Sequence, residues 1–214
     1  MCALFSTGIF ACDEPASVCF KDNGGIPLIK NNQPLPVLIS PAANPAIKRV
    51  AKAFSEDLTR VGGGKSELTE TQTINKAAII IGVPGEDALI DSLVKEGKLD
   101  ISGIRNKWEA YQITVVDDPA PGVGRALVVV GSDRRGAIFG TFDISERMGV
   151  SPWHWFADVP VKQHANVFIT PGTRSDYPKV RYRGIFINDE DPALKGWAQK
   201  TFGGVNSGMY EHVF

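Results

Sequence analysis

The sequence predicts an α/β layer built on a mixed sheet with helices, and three observations carry that prediction. The apolar runs "KAAIIIGVPG" at 76–85 and "RALVVVG" at 125–131 have the character of strands buried on both faces. Segments with apolar residues at helical spacing lie between and after such runs. Gly and Pro turns separate the two kinds of segment, the order that folds into strands covered by helices.

Each element follows from its residues. "PLIKNNQPLPVLIS" predicts two short strands, 26–30 and 35–40, around an Asn-Asn turn. Asn44 is a helix N-cap and Pro45 suits the first helical position. Ile47, Val50, Ala51, Phe54, Leu58 and Val61 then recur at helical spacing until Gly62-Gly63-Gly64. The run "KAAIIIGVPG" is the next strand, 86–96 a helix, "YQITVV" and "RALVVVG" a pair of strands, and 132–148 another helix. Residues 18–150 are therefore expected to form one α/β domain with its own core. Residues 151–179 are rich in Pro and aromatics, with one strand-like run at 167–170, and read as a connector. After them 180–187 is expected as a strand, 191–202 as a helix and 206–214 as the opening of another.

Composition excludes several classes of function. The chain has 214 residues, 43% hydrophobic and 22% charged, with a formal net charge of -1 and no basic cluster, so it lacks the footprint of a nucleic-acid binder. No apolar run is long enough to span a bilayer. "MCALFSTGIFAC" at the start is short and apolar, so residues 1–17 are expected to be a signal or lipoprotein segment, with Cys12 as the lipid anchor. Cys2, Cys12 and Cys19 all fall in the first twenty residues, which is neither a disulfide framework nor metal-ligand spacing. No metal and no cofactor is expected.

The chemistry-bearing motif is "RYRGIFINDEDPALKGW". Asp191 before Pro192 reads as an N-cap, whereas Asn188, Asp189 and Glu190 lie at the C-terminal end of an expected strand. That is where α/β and barrel enzymes place ligand-contacting side chains. The competing reading is a solvated acidic turn. "VVVGSDRRGAIFG" and "GVPGED" have the strand, loop and helix context of a phosphate cradle, yet neither carries a nucleotide-binding glycine or lysine pattern. Arg134 and Arg135 stand at a helix start, where cations oppose the helix dipole, which hints at an anionic partner. Trp153, Trp155 and Phe156 form an aromatic cluster suited either to stacking on sugars or to sealing two domains. His154 and His164 have no ligand or nucleophile at suitable spacing and read as structural, and no Ser-His-Asp or Cys-His set can be assembled.

Three stretches taken together, "GSDRRGAIFGTFDISERMGVSPWHWFADVPV", "VRYRGIFINDEDPALKGW" and "FGGVNSGMYEHVF", with "GGIPLI" near the start, resemble the N-terminal part of the xylan α-glucuronidases of glycoside hydrolase family 115. The resemblance runs from about Val18 to Phe214. It implies a small N-terminal α/β domain followed by the first strand and helices of a truncated (β/α)8 barrel over 180–214. Asn188, Asp189 and Glu190 would lie on the barrel rim at the sugar pocket. The implied activity is removal of α-1,2-linked (4-O-methyl)glucuronic acid from glucuronoxylan with inversion. Asp189 and Glu190 are the expected catalytic candidates, and Asn188, Arg135, Trp153 and Trp155 the expected substrate-binding ones, with Arg135 for the substrate carboxylate. Expected partners are glucuronoxylan or its oligosaccharides and, in assembly, a second copy of the chain. The expected location is secreted, periplasmic or outer-membrane lipoprotein. About 250 residues are needed for such a barrel, so this chain alone is expected to be inactive. The alternatives are a non-catalytic carbohydrate-binding module and a hydrolase of related architecture with another sugar specificity.

Overall fold

The structure, a computed structural model, describes residues 12–154, 159–184, 186, 194–206 and 208–209. It divides into two compact units, Met1–Pro178 and Lys179–Phe214. In the first the chain runs β1 (Val18–Cys19), β2 (Ile26–Lys30), β3 (Gln33–Pro34), β4 (Val37–Ile39), α1 (Pro45–Gly62), β5 (Leu68–Glu70), β6 (Ile79–Gly82) and α2 (Ala88–Lys95). There follow β7 (Tyr111–Ala120), β8 (Val123–Gly131), α3 (Arg134–Arg147), β9 (Val167–Ile169) and β10 (Thr173–Asp176).

A six-stranded sheet, ordered β10-β7-β8-β6-β4-β5, forms the frame of this unit. Its β5, β4, β6 and β8 are parallel, while β7 joins β8 and β10 joins β7 antiparallel. The apolar runs alternate between two cores, which is why they read as continuous. Val37 and Ile39, Ile79 and Ile81, Leu127 and Val129 face one cluster with α1 and α3, centred on Phe54 and Leu58. Leu38, Ile80, Val128 and Val130 face the other, with Leu89, Ile90 and Leu93 of α2. Full burial of a side chain such as Phe54 stabilises the fold by about 1.5–3 kcal/mol. A second sheet, β1-β9-β2-β3, is antiparallel throughout and contributes Ile26, Leu28 and Ile169 to the first core.

Local chemistry sets the boundaries. The Asn44 side chain accepts a hydrogen bond from Ala46 N at 3.0 Å, and Gly63 at φ 79° ends α1. Asn31 and Asn32 take φ 50° and 64°, the left-handed pair that a tight hairpin turn between β2 and β3 requires. Among the strands that escape the sequence reading are β5 ("LTE") and β10 ("TRSD"). Both are edge strands held by backbone pairing, with no apolar residue pattern to betray them. The stretch 151–179 thus supplies two strands to the first unit.

The cysteine reading is corrected. Cys12 and Cys19 form a disulfide, with Cα atoms 5.6 Å apart. Pairing of β1 with β9 fixes Cys19, and Thr170 Oγ1 accepts from Ser17 N at 2.8 Å while donating to Glu14 O at 2.5 Å, so the chain before β1 folds back on it. A sulfur engaged in this way cannot also carry a thioether-linked lipid, so the anchor expected at Cys12 and this disulfide are mutually exclusive.

In the second unit, residues 180–184 and 186 form no ladder, although a strand was expected over 180–187. A strand exists only through a neighbour's N–H and C=O groups, and no described residue pairs with these. Tyr182 and Phe186 are 85% and 91% exposed. The helix α4 (Leu194–Phe202) ends at Gly203, φ 74°, whose N–H donates to Gln199 O, and Trp197 packs edge-on to Phe202 at 5.4 Å. Residues 208–209 are helical; the rest of the helix expected over 206–214, apart from 206, and the capping Asp191 lie outside the described residues.

Candidate functional site

The acidic rim proposed from sequence, Asn188, Asp189 and Glu190, lies outside the described residues, as does Trp155. Arg135 and Trp153 are described. Arg135 is the second residue of α3, and Trp153 lies past its C-terminal cap, Met148. Fourteen helical residues span about 20 Å, so the two are at opposite ends of α3 and do not line one sugar subsite together. Trp153 is 62% exposed, with its N–H donating to Ser151 Oγ at 3.1 Å.

Arg135 is corrected as the uncompensated cation. Its Nε stands 2.8 Å from Glu109 Oε1, and its guanidinium lies 5.5 Å from the Phe139 ring centre. The helix start is already balanced. Asp133 is the N-cap, with Oδ1 accepting from Gly136 N at 2.8 Å and Oδ2 accepting from Glu109 N at 2.7 Å. Arg134 pairs with Glu86 at 3.5 Å. Gly131 and Gly136 permit this packing, since a Cβ at either would collide with backbone, at Gly136 with the Ala110 carbonyl.

Of the three histidines, His154 and His164 make local contacts. His154 Nδ1 is 3.0 Å from Ser151 O, and His164 stacks on Phe20 at 4.1 Å while its backbone N–H donates to Val61 O. A half-buried ionic knot fastens β10 to α3, where Arg174 and Arg147 both meet Asp143. Beside it Tyr111 is pushed up to about 12, by burial and then by the Asp143 charge.

The parallel sheet has a topological switch point between β4 and β6, because α1 leads outward to β5 while the chain after β6 leads to β8. Ligands of open α/β sheets enter there. Here the opening holds only about 10 Å³, because Asp87 fills it. Its carboxylate accepts from Leu89 N at 2.9 Å and from Ile90 N and Ser40 N at 3.4 Å, and burial, opposed by those N–H groups, pushes its carboxyl above the ordinary value. One step along the sheet, past the ends of β6 and β8, lies an open groove of about 690 Å³. Arg105, Asn106, Lys107, Trp108, Pro84 and Ser132 are among its walls. No sequence motif marked it, because its cation and aromatic come from an irregular loop. Among the described residues no group of His, Cys, Asp and Glu could hold a metal ion.

With this geometry established, comparison with known proteins defines the class. Residues 175–214 match the family model described as glycosyl hydrolase family 115. A solved structure described as a family GH115 4-O-methyl-alpha-glucuronidase, BtGH115A, with specificity for decorated arabinogalactans, is 33% identical over 85% of this chain, with a TM-score of 0.68. The chain belongs to glycosyl hydrolase family 115. It spans 22% of the length of BtGH115A. A second solved structure, CpGH84D, aligns over 73% of this chain and 23% of its own at 13% identity and a TM-score of 0.41. No curated protein matches.

Proposed function

We propose that this chain is the N-terminal part of a glycosidase that removes (4-O-methyl)glucuronic acid from a decorated polysaccharide with inversion. The observation that carries the reading is that the family match covers 175–214, the stretch that holds the acidic motif. Inversion requires a protonated carboxyl group to donate to the leaving oxygen and a carboxylate to activate water, about 6.5–9.5 Å apart. Side chains adjacent in sequence rarely meet that separation while both facing one sugar. Asp189 is therefore proposed as one member, with Glu190 the next candidate, Asn188 as a substrate contact, and the partner carboxylate further along the gene product. This chain spans 22% of the length of BtGH115A, so the activity is proposed for the longer product.

Two polymers are in play. Glucuronoxylan, with its α-1,2 linkage, follows from the motif resemblance, whereas the specificity described for BtGH115A favours decorated arabinogalactan. The Cys12–Cys19 disulfide supports an oxidising, extracytoplasmic location. The test is to incubate the complete gene product with each polymer and follow the released sugar by proton NMR. Release as the β-anomer from either polymer supports the reading and names the substrate. Retention of configuration overturns the inverting mechanism, and no release from either polymer moves the carbohydrate-binding alternative ahead.

A further inference from the structure

The open groove past the ends of β6 and β8 has a chemistry separate from the acidic rim. It lies outside the carboxyl ends of parallel strands, and its volume of about 690 Å³ falls in the range of small-ligand sites, about 300–1,000 Å³. Its electrostatics are decided by which charges are already taken. Asp133 accepts two backbone N–H groups, Glu109 pairs with Arg135, Glu86 with Arg134, and Asp91 accepts from Gly85 N at 2.8 Å. Asp100, five residues before Arg105, is held by the N–H and hydroxyl of Ser102, and the Arg105 charge acts on it as well. Lys107 Nζ donates to Gly103 O at 2.8 Å and lies 4.5 Å over the Tyr177 ring. Arg105, exposed in the groove wall, feels the Asp100 charge but forms no close ion pair among the described residues.

The wall is also rigid. Glu109 is held at φ 53° through Asp133 and Arg135, and Ala110 exchanges hydrogen bonds with Ser132 on the facing strand end. A preformed wall lowers the ordering cost of binding. The half-buried Trp108 stands in the same wall as the exposed Arg105 guanidinium. An indole suits the apolar side of a sugar ring, and a guanidinium pairs bidentately with a carboxylate. A phosphate at the start of α3 is disfavoured, because Asp133 occupies that cap with its negative charge.

We propose that this groove binds an acidic sugar, with the ring against Trp108 and the carboxylate on Arg105, as a holding site of the first unit. It rests on the reading that the substrate carries uronic acid. The experiment titrates this chain with xylotriose bearing one 4-O-methylglucuronic acid, and separately with plain xylotriose, following the Trp108 indole N–H by NMR. Trp108→Phe assigns that resonance among the four tryptophans. The acidic probe should shift it, plain xylotriose should not, and Arg105→Gln should weaken the acidic probe about tenfold or more. No shift, an equal shift with plain xylotriose or with sodium acetate, or an unchanged affinity in Arg105→Gln overturns the proposal. Arg105 is exposed, so Arg105→Gln keeps the measurement valid even if Trp108→Phe disturbs folding. Hydrolysis is not read here, so failure of the groove and failure of the glycosidase reading are distinguishable.

Discussion

The two units treat their large apolar side chains in opposite ways. In Met1–Pro178, Phe54, Leu58, Ile79 and Ile81 are completely buried, and the run around β6 divides its residues between two cores. In Lys179–Phe214, Val180, Tyr182 and Phe186 are 62%, 85% and 91% exposed, and the segment that carries them joins no sheet. Sequence alternation looks alike in both, so alternation alone does not make a strand. What separates them is a neighbour to complete the backbone ladder, and apolar surface left in water contributes nothing to stability until something covers it.

That contrast can be broken first at Phe54. Phe54→Ala should cost about 3–5 kcal/mol in denaturant unfolding, whereas Phe186→Ala should stay within about 0.5 kcal/mol. Equal losses would mean that Phe186 is packed. Next is the disulfide, which closes a short loop between Cys12 and Cys19, seven residues apart. Cys12→Ser should lower stability by about 2 kcal/mol under non-reducing conditions and should abolish the effect of added reductant.

Smaller is the effect of pH. Burial raises the carboxyls of both Asp57 and Asp87, so the folded chain takes up those protons more readily than the unfolded one. Their contribution is fully present below the ordinary value of 3.8 and is lost as pH rises through the raised folded values. Asp87→Asn keeps a good N-cap and should flatten that fall in unfolding curves taken from just below to above 3.8. An unchanged slope would contradict the assignment. Smallest is Arg135→Gln, a surface pair worth about 0–1 kcal/mol.

Much of the first unit was legible in the residues. Asn44-Pro45 and Gly63 bound α1, Asn31-Asn32 turn the hairpin, and the paired isoleucines of β6 signal burial on both faces. β5 and β10 were not legible, because edge strands held by backbone bonds need no apolar pattern. The disulfide was hidden because the pairing of β1 with β9, a long-range contact, is what positions Cys19. Arg135 misled for a related reason, its partner Glu109 lying 26 residues earlier in the chain. The groove at Arg105 had no motif at all, since sheet topology and not spacing brings its walls together.

The central claim is that the chemistry belongs to the acidic motif and that the first unit supports it without supplying the reacting groups. The measurement is hydrolysis rate on the polymer that the complete gene product cleaves, comparing Asp189→Asn, Glu190→Gln and Arg135→Gln at unchanged thermal stability. The account predicts a loss of about a hundredfold or more for Asp189→Asn or Glu190→Gln, as for removal of a general acid or base, and near-normal rates for Arg135→Gln. Full activity in both acidic variants, or a collapse confined to Arg135→Gln, would contradict it.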